Sequence, residues 1–192
     1  MHALFNHINQ YGEISTGEFE YLLSHFVYKR IRKRHFLQQE GTITTDMAYL
    51  LKGAMRQYYT DEKGVDHILS LYIENSWIGD RESIATCSPS LYCIDAWEDC
   101  EVLVISKENI LHLRKKIQAF NTLLLILDEV NMIQIQRRLT YSLCFSAAMR
   151  YRSFVDNYPE LATRFPQHII ASYLGITKDT LSRIGRKLRK KD

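Results

Sequence analysis

The stretch from Ser106 to Tyr158 contains neither glycine nor proline, and this absence constrains the fold more than any other feature of the chain. Nothing in these roughly fifty residues interrupts an α-helix, so we expect continuous or nearly continuous helix from Ser106. The apolar residues cover more of the helix than one contact face needs. We therefore expect one side to pack on the same chain and the other on a second copy. The expected interface residues are Phe120, Leu124, Leu127, Val130 and Asn131. A helix buried wholly within one chain is the alternative.

The preceding residues have a different pattern. Between Lys29 and Ile105, short segments rich in β-branched and aromatic residues alternate with turn residues, which predicts a barrel or sandwich of short strands. The clearest hairpin joins Ala54–Thr60 to Val65–Ile73, because Gly64 can adopt the positive φ that closes the loop. Residues 2–28 carry apolar residues at helical spacing, with Thr16 as a helix start. The sequence therefore predicts an α+β fold.

Composition excludes several classes of protein. No segment has the roughly 20 consecutive apolar residues that cross a bilayer, and the N-terminus lacks the pattern of a secretory signal. The 4 cysteines form no CxxC pair, so we expect buried thiols in a reducing compartment and no bound metal, with a thiol-based redox response as the alternative. We expect a cytoplasmic protein without a membrane partner.

The basic residues are concentrated at the C-terminal end. Residues 146–192 hold ten Lys and Arg against four Asp and Glu, which favours a phosphate-bearing partner.

The residues from Pro166 to Arg186 have the pattern of a helix-turn-helix. Ala171 is small where two helices approach closely, and Gly175 suits the left-handed backbone of the turn. Thr177 can cap the second helix with its hydroxyl. The apolar residues at the spacing of the core between the helices are Ile170, Leu174, Ile176, Leu181 and Ile184.

Helical geometry assigns two faces to the second helix. Leu181, Ile184 and Leu188 share one face, and the basic residues lie on the other, which is free to enter a DNA major groove. We assign base contacts to Lys178, Asp179 and Arg183, with Arg183 suited to guanine and Asp179 to the cytosine amino group. Contacts to the DNA backbone and the flanking surface are assigned to Thr177, Ser182, Arg186, Lys187, Arg189 and Lys190. For Lys190 and Lys191 a solvated tail is an equal alternative.

The order of these elements resembles the Crp/Fnr family of bacterial transcription regulators along essentially the whole chain. The motifs that carry the resemblance are PQHIIASYLGITKDTLSRI, YLLKGAMRQYY followed by EKG, SWIGDRESI and AWEDCEVLVISKENI. The resemblance implies an N-terminal β-roll, or double-stranded β-helix, as an effector-like domain at residues 1–118. It further implies a dimerisation helix at 119–145 and a winged helix-turn-helix domain at 146–192.

The resemblance also implies partners. The family forms homodimers whose recognition helices enter successive major grooves of a palindromic site in double-stranded DNA, and RNA polymerase is a further partner. The family's base-contacting positions fall on Lys178, Asp179 and Arg183. Gly185 replaces a residue that is often basic, which removes one expected phosphate contact. Family members usually add a β-hairpin wing after the helix-turn-helix. Because the sequence continues only to Asp192, we do not expect the DNA-backbone contacts that a full wing makes.

The effector region departs from the family's cyclic-nucleotide cassette, in which a Gly-Glu pair precedes an Arg-Ser/Thr-Ala triplet. Gly79-Asp80 takes the first place with a shorter carboxylate, and Ser90-Leu91-Tyr92 takes the second without a positive charge. Burying a phosphate without a cation is costly, and Arg81 could replace it only by turning inward. We therefore predict that cyclic AMP and cyclic GMP are not bound in the usual way and that no cofactor is present, and leave open another small-molecule effector. A regulator that does respond to a cyclic nucleotide is the alternative.

Other functions are less well supported by the residues. No cysteine precedes Cys87, which excludes the family's N-terminal iron–sulfur cluster, while haem bound through His67 or His112 stays open. The histidines lack the spacing of a cupin-like metal site, and no GxSxG motif indicates a nucleophile, so we do not expect an enzyme. The main rival is a protein-binding module that uses the helix-turn-helix for partner contacts.

Overall fold

The computed structural model describes residues 2–188, and the following bounds refer to that part of the chain. Nine helices and eight strands are described within it. The helices are α1 His2–Asn9, α2 Thr16–Leu23, α3 Arg81–Thr86, α4 Lys107–Lys116, α5 Gln118–Cys144, α6 Ala147–Asn157, α7 Pro159–Arg164, α8 Gln167–Tyr173 and α9 Lys178–Leu188. The strands are β1 Val27–Ile31, β2 Phe36–Gln38, β3 Asp46–Lys52, β4 Met55–Thr60, β5 Asp66–Tyr72, β6 Trp77–Ile78, β7 Cys93–Ala96 and β8 Cys100–Ser106.

The strands form two four-stranded sheets with the orders β1-β8-β3-β6 and β2-β7-β4-β5. Sequence-distant strands pair in both sheets, so this is a β-roll and not a series of simple hairpins. In the first sheet, β8 pairs antiparallel with β1, where Val27 lies opposite Val104, and with β3, where Tyr49 lies opposite Leu103. The α+β class and the β-roll predicted from the sequence are confirmed.

Contacts divide the chain into two compact units. Within the described residues, the first comprises residues 2–57 and 72–131, and the second comprises residues 58–71 and 132–188. Helix α5 therefore contributes to both units.

Two apolar clusters hold the first unit together. One joins α1, α2, α4 and the start of α5 to one face of β3 and β8, and it includes the fully buried Tyr49 and Phe120. The other fills the interior of the β-roll with Leu50, Met55 and Ile94. Burying a side chain of this size stabilises the fold by about 1.5–3 kcal/mol, so the first turns of α5 are fixed to the β-roll.

Gly53 joins β3 to β4 at a point where no side chain fits. Its φ is +101°, and an added Cβ would lie 2.6 Å from the carbonyl oxygen of Asp99 and 2.7 Å from Sγ of Cys100. We expect Gly53→Ala to lower the free energy of unfolding in urea by about 2–4 kcal/mol through overpacking and backbone strain. Gly17→Ala is the control, because that Cβ meets nothing within 4 Å. Equal stability of the two variants would contradict this account of the turn.

The helical region predicted to begin at Ser106 and to end near Asn157 does begin and end close to these residues. It is divided into three helices, α4, α5 and α6, by two breaks. Ser106 caps α4, as predicted, with its hydroxyl accepting from the backbone N–H of Asn109 at 3.2 Å. The chain is extended at Ile117, which is buried in the first cluster, and Ser146 caps α6. In the N-terminal region the cap is Ser15, one residue before the predicted Thr16, because Ser15 and Glu18 form a capping box.

In the second unit, the β4–β5 hairpin lies beside the C-terminal helices. Gly64 has the predicted positive φ, +76°, and its N–H donates to the carbonyl oxygen of Asp61 at 2.8 Å. Ser172 of α8 accepts from the N–H of Ile68 at 3.0 Å and donates to the carbonyl of Asp66 at 2.9 Å. The hairpin is thus hydrogen-bonded directly to the first helix of the C-terminal pair.

Within residues 2–188 we find no helix whose length and apolarity would let it span a bilayer. The same residues contain no group of three or more His, Cys, Asp or Glu side chains placed to bind a metal ion.

Candidate nucleic-acid interface

The turn between α8 and α9 has the geometry predicted from Gly175. Its φ is +64°, and its N–H donates to the carbonyl of Ser172 at 3.0 Å. The N–H of Ile176 donates to the carbonyl of Ala171 at 3.0 Å, which completes a Schellman motif. Ala171 is buried, as expected where two helices approach closely. The turn therefore redirects the chain into α9 without strain in a non-glycine residue.

The hydroxyl of Thr177 caps the N-terminus of α9. It accepts from the backbone N–H of Thr180 at 3.2 Å, so the predicted cap is confirmed. Leu181 is buried and Ile184 half-buried against the neighbouring helices. One face of α9 is therefore fixed to the protein, which determines the direction of the other.

The charged residues of α9 lie on its solvent-facing side. Lys178, Asp179, Arg183, Arg186 and Lys187 are all exposed, whereas Ser182 is half-buried beside them. The structure thus brings together the side chains assigned to base and phosphate contacts, with four positive charges and one negative. The predicted contacts of Arg189 and Lys190 lie outside the described residues.

The position of Arg183 depends on a residue that the sequence pattern did not single out. Nη2 of Arg183 donates to Oγ1 of Thr180 at 3.2 Å, and Oγ1 of Thr180 accepts from the hydroxyl of Thr177 at 2.9 Å. The three side chains form a chain along the first turns of α9. This arrangement limits the rotamers of an otherwise flexible guanidinium. The sequence does carry a signal for these contacts, because Thr177, Thr180 and Arg183 follow one another at intervals of three residues, which places them side by side on a helix.

The predicted effector region forms a closed hydrogen-bond network. Asp80 is buried and caps α3 by accepting from the N–H groups of Glu82 at 3.0 Å and Ser83 at 3.3 Å. Its second carboxylate oxygen accepts from the hydroxyl of Ser90 at 2.6 Å, and Nε2 of Gln38 donates to the same hydroxyl at 2.6 Å. Both oxygens of Asp80 are therefore engaged within the protein.

The other residues of this region are directed elsewhere. The guanidinium of Arg81 pairs with Asp128 of α5, and Leu91 is exposed. Gly79 packs closely, since an added Cβ would lie 3.1 Å from Ile84. Tyr92 is half-buried, and burial together with the charges of Glu82 and Asp80 raises the pKa of its phenol. Arg81 is thus not turned into the β-roll.

A second cation of the β-roll, Arg56 of β4, was not identified from the sequence. Its Nε and Nη2 each lie 2.9 Å from a carboxylate oxygen of Asp95, and both side chains are largely buried. Such a bidentate pair neutralises its own charge. The sequence did not reveal this ion pair, because Arg56 and Asp95 are 39 residues apart and each is one of several polar residues that alternate along its strand.

The predicted interface residues of α5 divide between core and surface. Phe120 and Leu124 are buried in the first apolar cluster, and Leu127 packs partly against it. The prediction is corrected for Phe120 and Leu124, because their side chains have almost no surface to offer a partner. Val130 is exposed and Asn131 is half-buried.

The larger apolar surface of α5 lies further along the helix. Met132, Ile135, Leu139 and Leu143 recur at i, i+3, i+7 and i+11, and Leu139 and Leu143 are 59% and 74% exposed. This spacing places them on one stripe of the helix. We call these four residues the α5 stripe.

The two histidines considered for haem each have protein partners. Nε2 of His67 bonds to the carboxylate of Asp61 at 2.8 Å, and this bond, with backbone donors, holds the pKa of Asp61 below its ordinary value. Nε2 of His112 bonds to the hydroxyl of Tyr21 at 2.8 Å, and its ring stacks on His25.

Comparison with known proteins shows the fold of the chain. Residues 28–116 match the cyclic nucleotide-binding domain family, whereas no curated protein matches the sequence significantly. A CooA mutant from Carboxydothermus hydrogenoformans aligns with a TM-score of 0.76 at 17% identity, covering 93% of this chain and 81% of that one. FixK2 from Bradyrhizobium japonicum aligns with a TM-score of 0.74 at 16% identity, covering 86% and 85%. A protein assigned to the crp/fnr regulators of Eubacterium rectale aligns with a TM-score of 0.69 at 14% identity, covering 97% and 88%.

Proposed function

Because the chain has the fold of the Crp/Fnr transcription regulators, we propose that it is a non-enzymatic regulator that binds a palindromic DNA site as a homodimer. The observation that carries this proposal is the exposed basic face of α9, which is held in place by the buried Leu181 behind it. A helix of this kind fits a major groove. On this proposal, residues 1–118 are the effector-like domain, 119–145 the dimerisation helix and 146–192 the DNA-binding domain.

The residues of α9 have different roles in this proposal. Lys178, Asp179 and Arg183 lie in the first two turns and contact base edges. The cap Thr177 and the residues Ser182, Arg186 and Lys187 contact the sugar-phosphate backbone or flank it, as does Arg189 beyond the described residues. Phosphate contacts fix the register of the protein, and base contacts supply sequence preference.

The α5 stripe supports the dimer. Its four apolar side chains belong to a helix whose earlier residues Phe120 and Leu124 are buried in the same chain. A second copy related by a two-fold axis would cover the stripe with an identical stripe, as in a coiled coil. This arrangement places the dimer contact further along α5 than the sequence predicted.

The salt dependence of duplex binding tests DNA binding itself. We expect affinity for a bound duplex, measured by fluorescence anisotropy, to fall by about a thousandfold or more between roughly 50 and 200 mM salt. The cause is the release of counterions when several Lys and Arg neutralise phosphates. A protein-binding module would have no duplex affinity of this kind, and an affinity that does not change with salt would contradict the proposal.

We propose further that no cyclic nucleotide binds the β-roll in the usual way. Asp80 is occupied by α3 and Ser90, Arg81 pairs with Asp128, and Arg56 is neutralised by Asp95. Within residues 2–188, neither Arg81 nor Arg56 is therefore free to neutralise a phosphate buried in the β-roll. Calorimetric titration with cyclic AMP or cyclic GMP up to about 1 mM is expected to give no binding heat. Micromolar affinity for either nucleotide would contradict this.

A further inference from the structure

The second unit contains a cavity of about 270 Å³. Its walls come from the β4–β5 hairpin at His67 to Leu69, the end of α5, helix α6, and α8 with its following turn. The volume suits a molecule of roughly ten to fifteen non-hydrogen atoms, somewhat below the range of drug-sized ligand sites. The cavity is therefore large enough for a small organic compound.

The charged side chains of the cavity lining are all basic. Arg137, Arg138 and Arg150 all line it, and no Asp or Glu is among its lining residues in the described part of the chain. His67 adds an imidazole to the same lining. Guanidinium groups without carboxylates create a positive potential, which a low-dielectric wall strengthens. The lining therefore favours an anion.

Among the described residues, no carboxylate forms an ion pair with Arg138, which is held in place by backbone carbonyls. Its Nη2 donates to the carbonyls of Ile68 at 2.9 Å and Tyr173 at 3.1 Å, its Nη1 donates to the carbonyl of Leu69, and its guanidinium lies 4.3 Å from the centre of the Tyr173 ring. Burial lowers the pKa of this guanidinium. Three backbone carbonyls accept from Nη1 and Nη2 but do not neutralise the charge of the guanidinium, so a nearby anion would be stabilised.

Arg150 leaves one donor unused. Its Nη1 donates to the carbonyl of Leu174 at 2.9 Å, which fixes the side chain against the turn after α8. Its Nε is buried and has no hydrogen-bond partner among residues 2–188. Because this Nε is not accessible to a water-sized molecule, an anion in the cavity would interact with the guanidinium through its positive charge and not through this N–H.

Aromatic rings supply the apolar part of the lining. Phe154 lies 5.5 Å from the ring of Tyr173 and 5.9 Å from that of Tyr158, and Tyr141 lines the cavity from α5. Such rings favour a flat apolar group, whose faces and edges can pack against them. The arginines and the aromatic rings of the lining together fit a ligand that has a charged end and a flat body.

We infer that this cavity binds a small organic anion, an aromatic carboxylate, with its carboxylate directed to Arg150 and Arg138 and its ring against Tyr158 and Tyr173. Guanidinium and carboxylate groups match in charge and geometry. The site goes beyond the proposed DNA binding, and its test requires no DNA, so either proposal can fail without the other.

The probe that tests the site is 2-naphthoate, with the uncharged 2-naphthamide as its shape-matched control. We expect calorimetry on the full chain to give a measurable Kd for naphthoate and an affinity at least about tenfold weaker for the amide. Arg150→Gln is expected to weaken naphthoate binding by about ten- to a hundredfold. Arg152→Gln removes the same charge from an exposed position of α6 outside the cavity lining and is expected to leave binding unchanged.

A second variant keeps the test decisive if Arg150→Gln does not fold. Ser153 lines the cavity from α6, and Ser153→Leu adds bulk there without removing a charge. It is expected to abolish naphthoate binding while circular dichroism stays that of the native protein. Absence of naphthoate binding at millimolar concentration, equal affinity for the amide, or binding that survives Ser153→Leu would overturn the inference.

Discussion

Replacing Leu139 by aspartate is expected to convert the protein into a monomer of 22.6 kDa and to lower its affinity for a palindromic duplex by about 10²–10⁴. Leu139 is 59% exposed in the single chain, so the substitution leaves the packed core of either unit intact. In the proposed dimer the same position lies in the middle of the α5 stripe. Two aspartates would then be buried close together without cations, which is strongly unfavourable.

The loss of DNA affinity follows from the loss of the second recognition helix. In a dimer, binding of one half-site places the other helix near its own half-site, and this effective concentration disappears in a monomer. Sedimentation equilibrium measures the mass, and anisotropy measures the affinity. Thr140→Asp is the matched control, because it introduces the same charge at an exposed neighbouring residue beside the stripe. A dimeric Leu139→Asp variant with unchanged DNA affinity would show that the α5 stripe is not the interface.

Replacing Arg183 by alanine is expected to weaken specific DNA binding by about ten- to a hundredfold and to relax sequence preference at one position of each half-site. The guanidinium is exposed in the second turn of α9 and donates to Thr180, so in the proposed complex it would approach a guanine edge from a restricted set of rotamers. Each lost bidentate contact removes about 1–3 kcal/mol of discrimination. Removing the side chain does not disturb the core, because Leu181 and Ile184 lie on the other face.

Lys187→Ala is the comparison for this prediction. Lys187 lies in the last turn of α9 and is exposed, so its loss is expected to weaken binding to all duplexes alike and to reduce the salt dependence by about one phosphate contact. Competition assays with single-base variants of the site measure both effects. If Arg183→Ala keeps the sequence preference of the parent protein, Arg183 does not contact a base.

The helix-turn-helix could be predicted from the sequence because its determinants are local. Gly175, Thr177 and Ala171 each have a role that depends on a few neighbouring residues, and the structure confirms the positive φ, the cap and the buried small residue. The hairpin turn at Gly64 is local in the same sense. Local steric and hydrogen-bonding requirements can be recognised from the residue types alone.

The interface residues on α5 could not be placed in the same way. Apolar residues run along the whole helix, and periodicity does not reveal which of them the chain itself covers. Phe120 and Leu124 are buried because α1, α2 and the β-roll pack on the start of α5, whereas Ile135 and Leu139 remain exposed. That distinction depends on tertiary contacts between sequence-distant elements.

Long-range polar contacts were also beyond the sequence. The absence of a cationic triplet at Ser90-Leu91-Tyr92 was evident, but the bond from Ser90 to Asp80 and the pairing of Arg56 with Asp95 join separate strands and loops. The cavity in the second unit likewise combines the hairpin with three helical segments. Individually, its arginines resemble ordinary surface residues.

Selection of bound duplexes from a random pool is the decisive experiment on base recognition by α9. We expect enrichment of a palindrome whose half-site centres lie about 10–10.5 base pairs apart, the spacing that two recognition helices of a two-fold dimer require. The parent protein and Arg183→Ala should differ at a symmetric pair of positions within it. Failure to enrich any sequence, or enrichment of a single half-site without its symmetry mate, would contradict a dimer that contacts DNA bases through α9.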